Sequence, residues 1–224
     1  MPARAFDALY VQAGGQLVHQ VMLLTGSRRL AFRAVDVAFH QAWENWPEVA
    51  IDPDPVSWVR AKAYDFALAP WCRFRPVYRT DVAVAKDSVW QAFLGLPTHH
   101  RRVLMLCEGL GLATAKAALE MEATTGATES RLEHARAFVQ QYLATPGRPG
   151  PMGNWLKSCT AVASTATLPR AHCVRQASER LTCLQTRLAF AAIAALAALV
   201  AITCTTTHDR SHRPPPVGSH ARIL

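Results

Sequence analysis

The stretch that decides the fold runs from Leu96 to Leu143 and reads LPTHHRRVLMLCEGLGLATAKAALEMEATTGATESRLEHARAFVQQYL. Pro97 is placed at a helix start, where its missing N–H costs nothing. Apolar residues then recur at helical spacing in three segments, separated first by Gly109 and Gly111 and then by residues 122–125. The sequence therefore predicts three short helices in a row.

The last of these predicted helices follows a tight turn, and Thr124 is placed to cap its start. One face of this helix collects the residues expected to be buried, which are Thr128, Leu132, Ala135, Val139 and Tyr142. The residues left to point away from the core are Ser130, Arg131, His134 and Arg136. A short helix, a tight turn and a second helix with polar and basic residues outward are typical of a helix-turn-helix that reads DNA.

A separate helical block precedes this one. Apolar stripes run from Phe6 to Leu24 and from Ala31 to Trp46, and a third helix is predicted from Val56 to Leu68. We expect residues 1–69 to form a three-helix bundle with a tryptophan-rich core. Residues 70–86 are predicted to link the two blocks.

The predicted linker carries alternating aromatic and basic residues. Trp71, Phe74 and Tyr78 interleave with Arg73, Arg75 and Arg79. Such a pattern fits a surface on which single-stranded bases stack. It fits equally well a solvated linker, and the sequence leaves both interpretations open.

Both blocks resemble extracytoplasmic-function sigma factors of bacterial RNA polymerase, over roughly residues 5 to 143. In the second block the matching positions are Leu96-Pro97, Arg101, Val103-Leu104, Gly111-Leu112, Gly126, Ser130-Arg131-Leu132 and Ala135-Arg136. In the first block they are Leu24-Thr25-Gly26, Leu30-Ala31, Ala34-Val35, Ala38-Phe39, Ala42-Trp43 and Trp58-Val59-Arg60. The spacing holds without a gap across each block.

The resemblance implies a function for each block. Residues 1–69 would correspond to sigma region 2 and bind core RNA polymerase through the second helix, at Phe32, Arg33, Asp36, Val37 and His40. Residues 87–145 would correspond to sigma region 4 and bind promoter DNA through Thr124, Thr125, Glu129, Ser130, Arg131, His134 and Arg136. The chain would then be a sigma-like transcription initiation protein.

The sequence also departs from the family pattern. Glu122 stands where the turn usually has glycine, so the turn must accept a side chain. Glu129 replaces a basic residue on the recognition helix, and a carboxylate repels DNA phosphates. Of the acidic residues usual on the polymerase-binding helix, only Asp36 remains. These departures favour an alternative, a degenerate sigma-derived regulatory or interaction module that does not itself initiate transcription.

The C-terminal part predicts a membrane anchor. Residues 146–187 are predicted to be a flexible linker, and residues 188–204 carry no charge and are apolar on all sides. Such a run fits a single transmembrane helix at the short end of the usual length, although a buried or oligomerising alanine-rich helix fits too. The arginines before it favour a cytoplasmic N-terminal side at the cytoplasmic membrane. Residues 205–224 are predicted to form a disordered tail.

The positive net charge of the chain is consistent with binding to an anionic partner. The 224-residue chain has a net charge of +8, which suits DNA or a membrane surface. Its six cysteines form no C-x-x-C pair, and His172, Cys173 and Cys183 lack further ligands, so neither a disulfide framework nor a metal site is predicted. No secretory signal is expected.

We also expect no cofactor and no enzymatic activity, because a phosphate-binding glycine loop and a nucleophile–base pair are both missing. The expected partners are core RNA polymerase, promoter DNA, the membrane through residues 188–204, and an anti-sigma-like regulatory protein.

Overall fold

The computed structural model describes residues 2–78, 88–143, 152–161 and 168–211. These residues are helical throughout, with turns and no strand among them, which confirms the predicted all-α fold class. The α-helices are α1 Pro2–Thr25, α2 Arg28–Glu44, α3 Trp46–Val49, α4 Pro55–Leu68, α5 Ser88–Gly95, α6 Thr98–Leu104, α7 Thr114–Glu120, α8 Thr125–Leu143, α9 Met152–Ala161 and α10 Ala171–Ser211. The chain divides into two compact units, Met1–Ser178 and Glu179–Leu224.

The N-terminal helices start where the sequence supplies caps. Ser27 accepts a hydrogen bond from the Leu30 N–H at the start of α2, and Asp54 accepts one from the Ser57 N–H at the start of α4. Helices α1, α2 and α4 pack around a core that includes Phe6, Leu17, Leu24, Phe39 and Tyr64. Helix α3 was not predicted, because Pro47 at its start was interpreted only as the end of α2.

Helices α5 to α8 form the second block. Helix α6 continues into a π-helical turn, Met105–Gly109, where the Leu110 N–H donates to the Met105 carbonyl at 3.0 Å. Phe93, Val103 and Met105 are fully buried in this block. The three short helices expected between Leu96 and Leu143 are present as α6, α7 and α8.

The two blocks are packed into one unit, whereas the sequence led us to expect separate domains. The Arg60 guanidinium in α4 donates to both carboxylate oxygens of Glu120 in α7, each at 2.7 Å. The Trp90 indole donates to the Leu23 carbonyl at 2.8 Å, and Arg101 donates to the Leu24 carbonyl. Groups of the second block thereby satisfy carbonyls at the C-terminal end of α1, which a helix leaves without intrahelical partners.

The described parts of both predicted linkers contain helical turns or helices. Within the first, Pro70–Phe74 and Pro76–Tyr78 form 3₁₀ turns with Cys72 buried, and residues 79–87 lie outside the described part. Residues 146–187, predicted to be flexible, contain α9 and the start of α10. The predicted disordered tail begins at 205, but α10 extends to Ser211, and residues 212–224 lie outside the described part.

Breaking the buried Arg60–Glu120 pair should destabilise this unit strongly. We expect Glu120→Met or Arg60→Met to lower the free energy of unfolding by about 3 kcal/mol or more, because each leaves the other charge buried without a partner. The double variant should lose less than the sum of the two single losses. Denaturant unfolding of the full chain in mild detergent gives the free energy of unfolding of the wild type, the two single variants and the double variant.

The matched control is the exposed ion pair between Lys116 and Asp54, whose nitrogen and oxygen are 2.6 Å apart. Lys116→Met should change the free energy of unfolding by about 1 kcal/mol or less, since water screens an exposed pair. Strictly additive losses at Arg60 and Glu120 would contradict a coupled pair.

Candidate functional site

The helix-turn-helix geometry is built at the junction of α7 and α8. The Ala123 N–H donates to the Ala118 carbonyl at 3.0 Å, which closes the end of α7. Glu122 adopts a φ of 50°, the left-handed conformation that glycine takes most easily. The sequence predicts that this turn must accept a side chain, and the positive φ of Glu122 shows why glycine would suit the turn better.

Thr124 caps α8 as predicted. Its side-chain oxygen accepts a hydrogen bond from the Ala127 N–H at 3.3 Å, and its carbonyl accepts the Thr128 hydroxyl at 3.0 Å. The buried face of α8 is the predicted one, with Thr128, Leu132, Ala135 and Val139 buried. The side chain of Tyr142 lies outside the described part.

Most of the predicted DNA-binding residues lie on the solvent face of α8. Thr124, Thr125, Glu129, Ser130, His134 and Arg136 are exposed, and Arg131 is half-buried. The His134 ring donates from Nδ1 to the Ser130 carbonyl at 2.7 Å, which ties these two neighbours together. Glu133 is also exposed on this helix, and the sequence analysis did not single it out.

Arg136 is already ion-paired. Its Nε donates to Glu108 Oε1 at 2.9 Å, and its Nη2 contacts the same oxygen. Glu108 lies in the π-helical turn, 28 positions earlier in the chain. Periodicity within α8 could not reveal this partner, because the contact depends on how the turn packs against the helix. Arg136 is therefore less available to DNA than its exposure suggests.

Histidines at the start of α6 lie next to this surface. The His100 and His134 rings are 6.2 Å apart and perpendicular. Burial, followed by the charges of His134, Arg131 and His99, lowers the pKa of His100 below its ordinary value of 6.5. His100 is therefore uncharged at neutral pH, which limits its attraction for phosphate. The sequence analysis missed His99 and His100 because they precede the helix-turn-helix proper.

The residues predicted to bind polymerase lie along α2. Arg33 Nη1 donates to Asp36 Oδ2 at 2.8 Å, and His40 Nε2 lies 3.3 Å from Asp36 Oδ1. Burial opposes ionisation of Asp36, but hydrogen bonds and charges from His40 and Arg33 outweigh burial and hold its pKa below the usual value. Phe32 and Val37 are half-buried on the same helix. The predicted set thus forms a surface with one ionised carboxylate flanked by basic groups.

A cavity of about 610 Å³ opens beside this surface. Phe32, Arg33 and Asp36 line one side of it, and Leu168 and Pro169 from the C-terminal part line another. The sequence analysis could not foresee that contact, because it placed residues 146–187 in a flexible linker.

The aromatic and basic residues of the first predicted linker are only partly arranged for stacking. Phe74 is 84% exposed. Trp71 instead packs edge-on against Phe66, with ring centroids 4.9 Å apart, and the Arg75 guanidinium lies 5.1 Å from the Trp71 ring. Of this group, Phe74 offers the most open ring face. Arg79 lies outside the described part.

No group of three or more His, Cys, Asp or Glu side chains within the described ranges could hold a metal ion. His172 and Cys173 are adjacent, with Nε2 and Sγ 3.4 Å apart.

No protein-family model matches this chain, and no curated protein matches it in sequence. The resemblance to sigma factors therefore stays a prediction from the residues.

The conformation of Glu122 gives a direct test of the turn. Glu122→Gly should raise the free energy of unfolding by about 0.5–1 kcal/mol, because glycine adopts a positive φ without steric cost. The matched control is Glu133→Gly in the exposed middle of α8, which should lower it by about 1 kcal/mol. Denaturant unfolding of the full chain in mild detergent compares the two. Equal destabilisation by both changes would rule out a strained turn at Glu122.

Proposed function

We propose that this chain is a sigma-like transcription initiation protein, tethered to the membrane, that binds core RNA polymerase through α2 and promoter DNA through α8. One observation carries the proposal. The N-terminal half of α8 follows a helix-turn-helix turn and is exposed, with Thr125, Ser130 and His134 facing solvent. A recognition helix contacts base edges with residues of its N-terminal part. Core RNA polymerase is proposed as the partner of α2 because the sequence resembles sigma factors.

The charges on α8 define how it would meet DNA. Arg131 would contact a phosphate or a base edge, and Ser130 and His134 would position it. The N-terminal end of α8 adds the partial positive charge of its free N–H groups. Glu129 opposes these attractions. The helix would therefore bind DNA weakly alone and depend on polymerase to bring it to a promoter.

Membrane attachment is supported by α10. Within the part of the chain that is described, one helical stretch, Ala171–Val200, is long and apolar enough to cross a membrane by length and composition. Large apolar side chains exposed along it are Leu184, Leu188, Phe190, Ile193, Leu196, Leu199 and Val200. Arg180 and Arg187 precede the charge-free run and favour an N-terminal side in the cytoplasm.

A second candidate function is a sigma-derived interaction module that does not initiate transcription. It is favoured by the Arg136–Glu108 pair, which withdraws a cation from α8, and by the exposed carboxylates of Glu129 and Glu133. Such a helix suits a basic protein partner better than a phosphate backbone. Its partner would be a regulatory protein of the anti-sigma kind.

A salt titration of DNA affinity distinguishes the two candidates. For the full chain in mild detergent, Glu129→Lys should strengthen binding to duplex DNA by an amount on the order of 1–2 kcal/mol at low salt, because it replaces repulsion by attraction. The gain should shrink as salt rises. Arg131→Ala should weaken binding in the same assay.

The matched control is Glu48→Lys, an equal charge reversal at an exposed position of α3. This control shows whether a gain in DNA affinity depends on where the new charge lies or only on the change in net charge. If Glu48→Lys gains as much as Glu129→Lys, or if no substitution on α8 changes affinity at any salt concentration, α8 does not read DNA. The interaction module would then be the better proposal.

Membrane attachment is tested by fractionation of cells that express the full chain. The wild-type chain should sediment with membranes, and Ile193→Arg with Leu196→Arg should shift it toward the soluble fraction. Each arginine costs about 2.5–3.5 kcal/mol at the centre of a membrane helix. Leu184→Arg, on the same helix but before the charge-free run, should leave the chain in the membrane fraction. A wild-type chain found only in the soluble fraction would contradict the anchor.

A further inference from the structure

Residues 168–178, which we name the strap, pack against α1 and α2. Arg175 donates from Nε and Nη2 to the two carboxylate oxygens of Asp7, at 2.9 and 3.0 Å. Its guanidinium also lies 5.4 Å from the centroid of the Trp43 ring. The bidentate ion pair holds Arg175 against α1, and the cation–π contact holds it against α2.

Apolar and small residues complete the contact. Val174 is 4% exposed, and Ser178 is 1% exposed with its hydroxyl 3.5 Å from Glu44 Oε1. Leu168 lies over α1 at Gly14, where an added Cβ would come within 2.8 Å of Leu168 Cδ1. Gly14 thus makes room for the strap, which explains a glycine that would otherwise only weaken the helix.

The strap borders the surface predicted to bind polymerase. At one end Leu168 and Pro169 line the same 610 Å³ cavity as Phe32, Arg33 and Asp36. At the other end Arg175 and Ser178 contact Trp43 and Glu44, near the C-terminal end of α2. Val37 and His40 lie between these two ends in the sequence of α2.

Tyr10 of α1 lines the same cavity as Leu168 of the strap and Asp36 of α2. Burial, then the negative charge of Asp36, then Cys173 of the strap raise the pKa of Tyr10 to about 12. The Tyr10 ring also packs edge-on against Phe39, with centroids 4.7 Å apart. The strap therefore lies against the same side of the helix pair that Asp36 faces.

We propose that the strap is an intramolecular competitor for the partner that binds α2, so that the partner binds only after residues 168–178 detach. This inference rests on the proposed function, in which that partner is core RNA polymerase. The strap includes the first two turns of α10, the same helix that carries the apolar run after Arg187. A change that displaces the start of α10 from α1 would free the α2 surface.

The strap is suited to reversible release. Its polar contacts with α1 and α2 include one ion pair whose partners are 20% and 37% exposed, one cation–π contact and one long hydroxyl–carboxylate hydrogen bond, to which a few apolar contacts are added. The Arg60–Glu120 pair, by contrast, is 9% and 2% exposed. The strap can thus detach while the core of the unit remains intact. While attached, it reduces the apparent affinity for the partner in proportion to the detached fraction.

The test uses the full chain in lipid nanodiscs with purified core RNA polymerase, and it has two readouts. Arg175→Glu places a carboxylate against Asp7. It should increase backbone hydrogen exchange over residues 168–178 and increase polymerase affinity by about tenfold or more, the effect of losing one charged hydrogen-bonded contact. The charge swap Asp7→Arg with Arg175→Asp should restore both values toward wild type.

The matched control is Arg180→Glu, the same charge change at an exposed position two residues beyond the strap. It should change neither readout. If Arg175→Glu leaves hydrogen exchange unchanged, Arg175 does not hold the strap, and the inference is wrong. If exchange rises while polymerase binds all variants equally, the strap does not compete, and the proposed function stands without it. If exchange rises and no variant binds polymerase, the proposed function is wrong and the competition inferred from it falls as well.

Discussion

The buried carboxylate of Glu120 is the constraint on which the arrangement of the first unit depends. It accepts two hydrogen bonds from Arg60 and one from the Ser57 hydroxyl at 2.8 Å, and the Glu120 backbone carbonyl accepts one from Arg102 at 2.9 Å. Burial alone would lower the pKa of Arg60, but the hydrogen bonds and charge of Glu120 raise it instead. Arg60 therefore stays charged beside the carboxylate, and loss of its partner would leave that charge in a low-dielectric interior. The Glu120 carboxylate thus joins α7 to α4, and the Glu120 backbone carbonyl joins α7 to α6.

That junction determines how the candidate surfaces are related. Helix α7 is the first helix of the helix-turn-helix, so fixing Glu120 also fixes the support of α8. The Trp90 and Arg101 contacts to α1 add a second attachment between the two blocks. The α2 and α8 surfaces consequently lie on one compact unit, Met1–Ser178, and separating them would break buried charged contacts. The Arg175–Asp7 pair of the strap is more exposed than the Arg60–Glu120 pair and involves other helices, so it can break without disturbing the junction.

The sequence predicts the helices well because their periodicity is local. The start and buried face of α8 followed from Thr124 and from apolar residues three and four positions apart, and both agree with the structure. The contacts that organise the unit are not local. Arg60 and Glu120 are 60 positions apart, and Arg175 and Asp7 are 168 apart. An ion pair between distant helices leaves no periodic signal, and Pro146 to Pro151 suggested a boundary after which packing was not expected. The same limit applies to Glu108, whose pairing with Arg136 changed the predicted site.

The distribution of charged residues determines how strongly a chain with a net charge of +8 attracts an anionic partner such as DNA. Several cations of the described unit are matched by carboxylates, among them Arg33, Arg60, Arg102, Lys116, Arg136 and Arg175. Such pairs contribute little attraction toward a distant polyanion, because their fields cancel within a few ångströms. On α8 itself, the positive charge of Arg131 is offset by the nearby carboxylates of Glu129 and Glu133. The helix therefore offers shape and hydrogen-bonding groups but little net positive potential. Under the proposed function, α8 would therefore gain specificity only if another contact held the protein near DNA, and the α2 surface, once the strap has detached, is the surface proposed to supply that contact.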